Sequence, residues 1–135
     1  MTCTCCQPLS DEQRIAYPAS LFGVAFPFRV EPTIFTFAQD LSSDYTGGYW
    51  ELYALSNGGF YMAPQSCMRF TVRAEHGFEG SLSACALGIT ACLYAYSHLS
   101  FGNGDVAATC AEQYQLLREH ALDHREARAI LAAID

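Results

Sequence analysis

The sequence predicts an α+β fold in which helices before and after a four-stranded antiparallel meander pack on the sheet. Large apolar residues recur with a period of two in the middle of the chain and with a helical period on both sides of it. Short turn signals, Asn57-Gly58 and His76-Gly77, separate strand-like segments. Because strands joined by such turns pair antiparallel, the sequence predicts a meander. Its strands are residues 48–55, 60–63, 68–75 and 78–82.

Helices are also predicted ahead of the meander. Ser10 heads a short helix over residues 10–17 through a capping box, and Pro18 is expected to end that helix. Residues 21–30 contain a proline and are expected to form a loop or an edge segment. Apolar residues at mixed three- and four-residue spacing then predict a helix over residues 31–45.

The helix predicted over residues 83–99 should be the most buried one. It is apolar around nearly its whole circumference, Ser83 is a suitable N-cap, and Gly102-Asn103-Gly104 ends it. A membrane span is the alternative, but a span needs about 20 predominantly apolar residues, and serine, threonine and histidine interrupt this segment. We therefore interpret it as the central core helix, and no contact with a membrane is expected.

Further helices are predicted near the end of the chain. One covers residues 105–122, and another begins at a capping box formed by Asp123 and Glu126. His120 and His124 have the four-residue spacing of a zinc-binding pair. However, the first histidine lacks the adjacent glutamate of that motif and no third ligand is evident, so we interpret both as surface histidines.

Length, composition and charge limit the possible functions. The 135 residues predict one domain over residues 1–135, and 51% hydrophobic content with 16% charged residues argues against disorder. All 7 basic residues are arginines, which excludes catalysis by lysine. The net charge of −7 opposes contact with phosphate backbones. Direct binding of nucleic acid is therefore not expected.

The 7 cysteines do not predict a disulfide framework. Their number is odd, and the first residues lack the basic and apolar regions of a secretory signal, so we expect a protein of the reducing cytoplasm. Residues 1–9 are expected to be a disordered, cysteine-rich tail. Cys3, Cys5 and Cys6 could bind a soft metal, but their spacing matches no common zinc site, so neither a metal nor a cofactor is expected. The remaining cysteines are expected to be small core residues: Cys67, Cys85, Cys92 and Cys110.

A family resemblance is carried mainly by residues 47–64, which read GGYWELYALSNGGFYMAP. This segment closely resembles the anti-restriction proteins typified by ArdB and KlcA. Residues 78–84, which read FEGSLSA, and the final Ala133-Ile134-Asp135 also look like family positions. The resemblance covers about residues 18–135. It implies a protein of plasmids or genomic islands that relieves restriction of incoming DNA by type I restriction-modification enzymes and is not an enzyme. The implied partner is a type I restriction endonuclease or an associated host factor.

The sequence also bears on how such a protein would act. A mimic of DNA needs dense, unneutralised carboxylates, about one negative charge per 1.7 Å of duplex axis. Here the acidic residues near the end of the chain alternate with arginines, which favours a specific protein surface instead. Aromatic residues are enriched at interface hot spots, and this makes Tyr49, Tyr53 and Tyr61 candidates if they are exposed. Packing in the core is their alternative. Asp135 is a candidate carboxylate, and a frayed terminal acid is its alternative.

The competing hypothesis is a small cytosolic enzyme or ligand-binding domain on the same scaffold. The usual motifs for nucleophilic, metal-dependent and nucleotide-dependent catalysis are missing. A Cys67 nucleophile assisted by His76 or His98 is conceivable. A deep pocket with convergent polar groups near Tyr53, Cys67 or His98 would favour this hypothesis, whereas a flat, aromatic or acidic surface would favour the inhibitor.

Overall fold

The computed structural model describes residues 6–135. Over this range the protein has an α+β fold, and its hydrophobic core lies between the short strands and the helices. The elements in chain order are β1 (Cys6–Pro8), α1 (Asp11–Phe22), a π-helical turn (Phe26–Val30), α2 (Glu31–Leu41), β2 (Trp50–Leu55), β3 (Phe60–Pro64), β4 (Arg69–Arg73), β5 (Glu79–Ser83), α3 (Ala84–Ser100), α4 (Gly104–Leu122) and α5 (Ala127–Ile134).

The two predicted hairpins are confirmed, but the prediction of a single four-stranded meander is wrong. Within residues 6–135, β1, β2 and β3 form one antiparallel sheet, while β4 and β5 form a separate two-stranded sheet. The β2–β3 hairpin turns at Gly58, whose φ of 92° suits glycine. The β4–β5 hairpin turns in the same way at Gly77, with a φ of 107°.

The break between the sheets has a physical reason, because other groups occupy the edges along which β3 and β4 would pair. The hydroxyl of Tyr96 donates to the carbonyl of Phe60 at 2.7 Å, and the thiol of Cys92 donates to the carbonyl of Met62 at 3.6 Å. Helix α3 thus covers the outer edge of β3. On β4, the backbone N–H of Thr71 donates to the Asp44 carboxylate at 2.8 Å.

The N-terminal segment also differs from the prediction. The expected tail covered residues 1–9, of which residues 1–5 lie outside the described part of the chain. Cys6–Pro8 instead pairs with β2, with Cys6 opposite Leu55. The next residue, Leu9, is buried and donates its backbone N–H to the carbonyl of Leu52 at 2.8 Å. A third strand therefore extends the sheet beyond the hairpin.

The first helix is longer than predicted, and the second is shorter. The capping box at Ser10 is confirmed, but α1 continues through Pro18 to Phe22, and both of these side chains are buried. Their burial stabilises a helix that a proline would otherwise end. Residues 26–30, expected to be irregular, form the π-helical turn that leads directly into α2. Helix α2 ends at Leu41, whereas the prediction extended it to residue 45.

Helix α3 is the central core helix, as predicted. Ser83 is its N-cap and accepts a hydrogen bond from the N–H of Ala86 at 3.1 Å, while Leu87, Ile89 and Leu93 are fully buried. A Cβ added at Gly88 would lie 2.4 Å from the Ala63 Cβ, so only glycine allows this approach to β3. No helix within residues 6–135 is long and apolar enough to cross a membrane.

Three predictions about individual side chains are wrong. His120 is buried on α4 rather than exposed. The capping box of Asp123 and Glu126 is not formed, because the Glu126 carboxylate binds Ser83 and provides no side-chain cap for α5. Cys67 is exposed between β3 and β4, whereas Cys92 and Cys110 are buried and Cys85 is half-buried.

Candidate functional site

Two of the candidate tyrosines belong to a stack of rings inside the protein. Tyr53 and Tyr61 are cross-strand partners, and their ring centroids lie 4.8 Å apart at an interplanar angle of 17°. The other face of Tyr61 stacks on His120 at 5.7 Å. Tyr61 is only 1% exposed, so it offers no accessible ring to a partner, whereas Tyr53 is half-buried. Tyr61 therefore packs in the core and is not an exposed contact residue.

The Tyr61 hydroxyl is also enclosed. It lies 3.4 Å from the Sγ of Cys85, in the first turn of α3. Burial, followed by the neighbouring Cys85, raises the pKa of Tyr61, and burial likewise raises the pKa of the Cys85 thiol. Both groups remain protonated near neutral pH. Neither is activated as a nucleophile, because the deprotonated form is the reactive one.

Tyr49 is placed differently from the other candidates. It precedes β2, and its side chain is 52% exposed. Its ring lies below the guanidinium of Arg14 from α1, with 4.7 Å between the Arg14 Cζ and the ring centroid. The Nη1 atom of Arg14 is buried and has no hydrogen-bond partner among the described residues. This pairing could not be predicted from the sequence, because it brings together residues from two separate elements.

Asp135 follows α5 at the edge of a cleft. Its backbone N–H donates to the carbonyl of Leu131 at 3.0 Å. Two other side chains hold the end of α5: the Tyr94 hydroxyl donates to the Ala133 carbonyl at 2.6 Å, and the His76 Nε2 lies 2.9 Å from the Ala132 carbonyl oxygen. The Asp135 backbone is thus anchored, and its carboxylate is accessible.

The cleft beside Asp135 combines aromatic and acidic groups. Its volume is about 410 Å³. The stacked rings of Phe37 and Tyr94, 5.5 Å apart, form part of the wall, and the carboxylates of Asp40 and Glu75 lie on the same lining as Asp135. Burial, followed by the charge of Glu75, raises the pKa of Tyr94. The cleft is aromatic, and its lining carries the acidic residues Asp40, Glu75 and Asp135 together with Arg73 and His76.

The side chains considered for catalysis are not assembled into a site. The His76 ring contacts the Ala132 carbonyl oxygen. The His98 ring packs against the Phe37 ring in a T-shaped arrangement, with 5.8 Å between the ring centroids. His98 lines an open depression of about 430 Å³, and Cys67 does not line it. In the described part of the chain, no three His, Cys, Asp or Glu side chains are arranged to hold a metal ion.

Comparison with known proteins identifies the family. Residues 43–135 match the protein family described as "Antirestriction protein". The chain belongs to this antirestriction family. The KlcA antirestriction protein of Escherichia coli is 37% identical over 130 residues, which cover 94% of this chain and 92% of that protein. The uncharacterized protein YafX of Escherichia coli strain K12 is 41% identical over 133 residues, which cover 95% of this chain and 86% of YafX.

A solved structure from the same family has the same fold. It is similar to this antirestriction protein with a TM-score of 0.89 and 37% sequence identity, and the match covers 98% of this chain and 95% of that one. The work that describes it states that KlcA and ArdB show a novel fold and antirestriction activity against type I DNA restriction systems in vivo but not in vitro. The predicted membership of the ArdB/KlcA-type family is thereby confirmed, and the protein has the anti-restriction function of that family.

Proposed function

We propose that this antirestriction protein relieves restriction of incoming, unmodified DNA by type I restriction-modification enzymes. It acts in the bacterial cytoplasm as a non-enzymatic inhibitor that uses a protein surface. The main support is the close agreement in fold, at a TM-score of 0.89 over 98% of this chain, with proteins active against type I systems.

The partner is a type I restriction endonuclease or a host factor associated with it. KlcA and ArdB are described as active in vivo but not in vitro. An inhibitor that blocked the purified endonuclease by itself would act in both settings. The contrast supports a mechanism in which a cellular component, absent from the purified reaction, takes part in inhibition.

Charge supports a protein surface over simple mimicry of DNA. The chain carries 14 acidic and 7 basic residues, and the arginines interrupt the acidic surface. Arg69 pairs with Glu126 at 3.3 Å, and Arg73 pairs with Glu79 at 3.4 Å. A net charge of −7 also disfavours binding to duplex DNA. The purified protein should therefore not retain a duplex in a gel-shift measurement at physiological salt, and a stable complex with DNA would contradict the proposal.

Tyr49 and Asp135 are the accessible members of the predicted surface set, and we propose them as contact residues. Tyr49→Ala and Asp135→Asn should lower anti-restriction activity while the midpoint of unfolding hardly changes. Tyr53→Ala and Tyr61→Ala should lower stability, because those rings stack on each other. Full activity of both the Tyr49 and Asp135 variants would remove these two residues from the contact surface.

Plasmid transfer tests the proposed function. An unmodified plasmid is introduced into matched hosts that carry a type I system, a type II system or no restriction system, with and without this protein. We expect transfer to recover in the type I host and to remain unchanged in the type II host. A soluble, folded protein that gives no recovery against representatives of several type I families would contradict the proposal.

A further inference from the structure

Large apolar side chains are exposed on α1 and in the segment that follows it. Ile15 on α1, Val24 just after α1 and Phe28 in the π-helical turn are 78%, 79% and 79% exposed. Tyr49, which carries Arg14 on its ring, is the neighbouring exposed aromatic residue. Ile15 and Val24 line the same groove, and adjacent exposed apolar residues are more typical of an interaction site than singly scattered ones.

Two of these residues line a groove between α1 and the π-helical turn. Gly23 ends α1 with a φ of 62°, a conformation that reverses the chain at this point. The groove has a volume of about 500 Å³, within the range of sites that hold large apolar groups. We call it the α1 groove, and its lining residues are Arg14, Ile15, Ala19, Gly23, Val24, Phe26, Pro27 and Glu31.

The α1 groove contains a cation that is not fully satisfied. Arg14 has no carboxylate within 4.0 Å among the described residues, whereas Arg69 pairs with Glu126 and Arg73 pairs with Glu79. Its Nη1 atom is buried without a hydrogen-bond acceptor. Leaving a buried donor without an acceptor is unfavourable, and more so when the donor is charged. Arg14 as a whole is half-buried, so part of its side chain remains accessible in the groove.

Glu31 does not supply this acceptor. It lines the same groove, and burial raises its pKa more than the charge of Arg14 lowers it. Arg14 and Glu31 form no ion pair within 4.0 Å, so the accessible part of the Arg14 side chain can pair with a carboxylate from outside the chain. Charge-assisted hydrogen bonds from arginine to a carboxylate are among the stronger polar contacts in proteins.

We infer that the α1 groove docks a segment of a partner protein in which a large apolar side chain lies beside a carboxylate. The apolar side chain fills the groove against Ile15 and Val24, and the carboxylate pairs with Arg14. The inference rests on the proposed function, since it assigns to the inhibitor one of the surfaces through which it contacts its cellular partner.

Substitutions at the exposed rim test this assignment with little risk to the fold. Ile15→Glu and Val24→Glu place a repelling charge at the groove, and surface changes of this kind usually alter stability only slightly. Met68→Glu and Leu122→Glu are matched controls at sites 63% and 52% exposed elsewhere on the molecule. In the plasmid-transfer assay we expect the groove variants to lose about tenfold or more of the relief, and the controls to keep it.

Arg14 is tested directly with a peptide probe. Short capped leucine-rich peptides that contain one glutamate, glutamine or lysine are titrated into the purified protein and followed by NMR. We expect shifts at Ile15 and Val24 with affinities in the order glutamate, glutamine, lysine. Arg14→Gln should weaken binding of the glutamate peptide about tenfold, so that it no longer differs from the glutamine peptide.

The outcomes separate this inference from the proposed function. Relief that both groove variants retain overturns the inference and leaves the function intact. The same holds if the peptides show no preference for glutamate or shift residues elsewhere. If the wild type gives no relief but the glutamate peptide binds the groove, the proposed function is wrong, whereas the groove is still a binding site for a carboxylate-bearing segment. If the wild type is a dimer and Ile15→Glu is a monomer by sedimentation, a second copy fills the groove and the inference is wrong.

Discussion

The carboxylate of Glu126 accepts hydrogen bonds from both the backbone N–H and the hydroxyl of Ser83, the N-cap residue of α3. The N–H bond is 3.0 Å long. The Ser83 hydroxyl oxygen also accepts from the N–H of Ala86, and Arg69 pairs with the same carboxylate at 3.3 Å. A negative charge at the start of α3 is favourable because unpaired N–H groups are concentrated there. The turn between α4 and α5 is thus attached to the central helix.

Replacing this carboxylate should destabilise the fold. Glu126→Gln keeps the shape of the side chain but removes the charge, so the bonds from Ser83 weaken and the pair with Arg69 is lost. We expect a loss of about 1–3 kcal/mol in the free energy of unfolding, measured by urea titration. Glu112→Gln is the control, because Glu112 is an exposed glutamate on α4. An equal effect of both substitutions would contradict the role given to Glu126.

Acid should weaken the same region in two steps. Burial lowers the pKa of His124, whose Nδ1 accepts the backbone N–H of Glu126 at 2.9 Å and must be unprotonated to do so. Its contribution is present above the ordinary value of 6.5 and is lost as the pH falls through the lower folded value. Burial alone would raise the pKa of Glu126, but the bonds from Ser83 and the charge of Arg69 lower it below 4.5. Its contribution is therefore lost at a lower pH.

Stability measured as a function of pH checks both steps. His124→Gln should remove the first decrease in unfolding free energy, and Glu126→Gln should reduce the second. If the decrease below the ordinary histidine value persists unchanged in His124→Gln, another group is responsible for it.

Gly88 allows α3 to contact β3 closely, and even one added methyl group should be costly there. A Cβ would lie 2.5 Å from both the Ala63 Cα and the Met62 carbonyl oxygen, so backbone must move. Gly88→Ala should lower the free energy of unfolding by about 1–3 kcal/mol or more, measured by thermal or urea unfolding. Gly102→Ala is the control, because a Cβ there would lie 3.4 Å from the Leu99 carbonyl oxygen, an ordinary contact distance. A neutral Gly88→Ala would contradict the close packing.

Tyr49 and Tyr61 should respond in opposite ways to the same substitution. Tyr61→Ala removes a buried ring between Tyr53 and His120 and should cost about 3–5 kcal/mol of unfolding free energy. Tyr49→Ala removes an exposed ring and its contact with Arg14, and should cost less than about 1 kcal/mol. Similar unfolding midpoints for the two variants would contradict the burial assigned to Tyr61.

The features predicted correctly from the sequence are those encoded by neighbouring residues. The turn at Asn57-Gly58, the capping box at Ser10 and the apolar circumference of residues 83–99 each depend on a few adjacent positions, and all three are present. The separation of β3 from β4 could not be read in this way. It depends on Tyr96 and Cys92, which lie far along the chain and occupy the edge of β3.

Burial of individual polar side chains was the least predictable feature. His120 lies near a predicted helix boundary, which favoured a surface position, but it is buried and its ring stacks on Tyr61. Glu126 has the correct spacing for a helix cap, but Ser83 competes for its carboxylate. The candidate set of Tyr49, Tyr53, Tyr61 and Asp135 was chosen by residue type. Only the three-dimensional arrangement distinguishes the exposed Tyr49 from the buried Tyr61.

The plating efficiency of unmodified phage tests the central claim most directly. The measured quantity is the ratio of plaques from unmodified phage to plaques from modified phage on a host with a type I system, with and without this protein at a verified level of soluble product. We predict that expression of the protein raises this ratio toward that of a host without restriction. A ratio that stays at the fully restricted level, with folded protein present and several type I systems tested, would contradict the account.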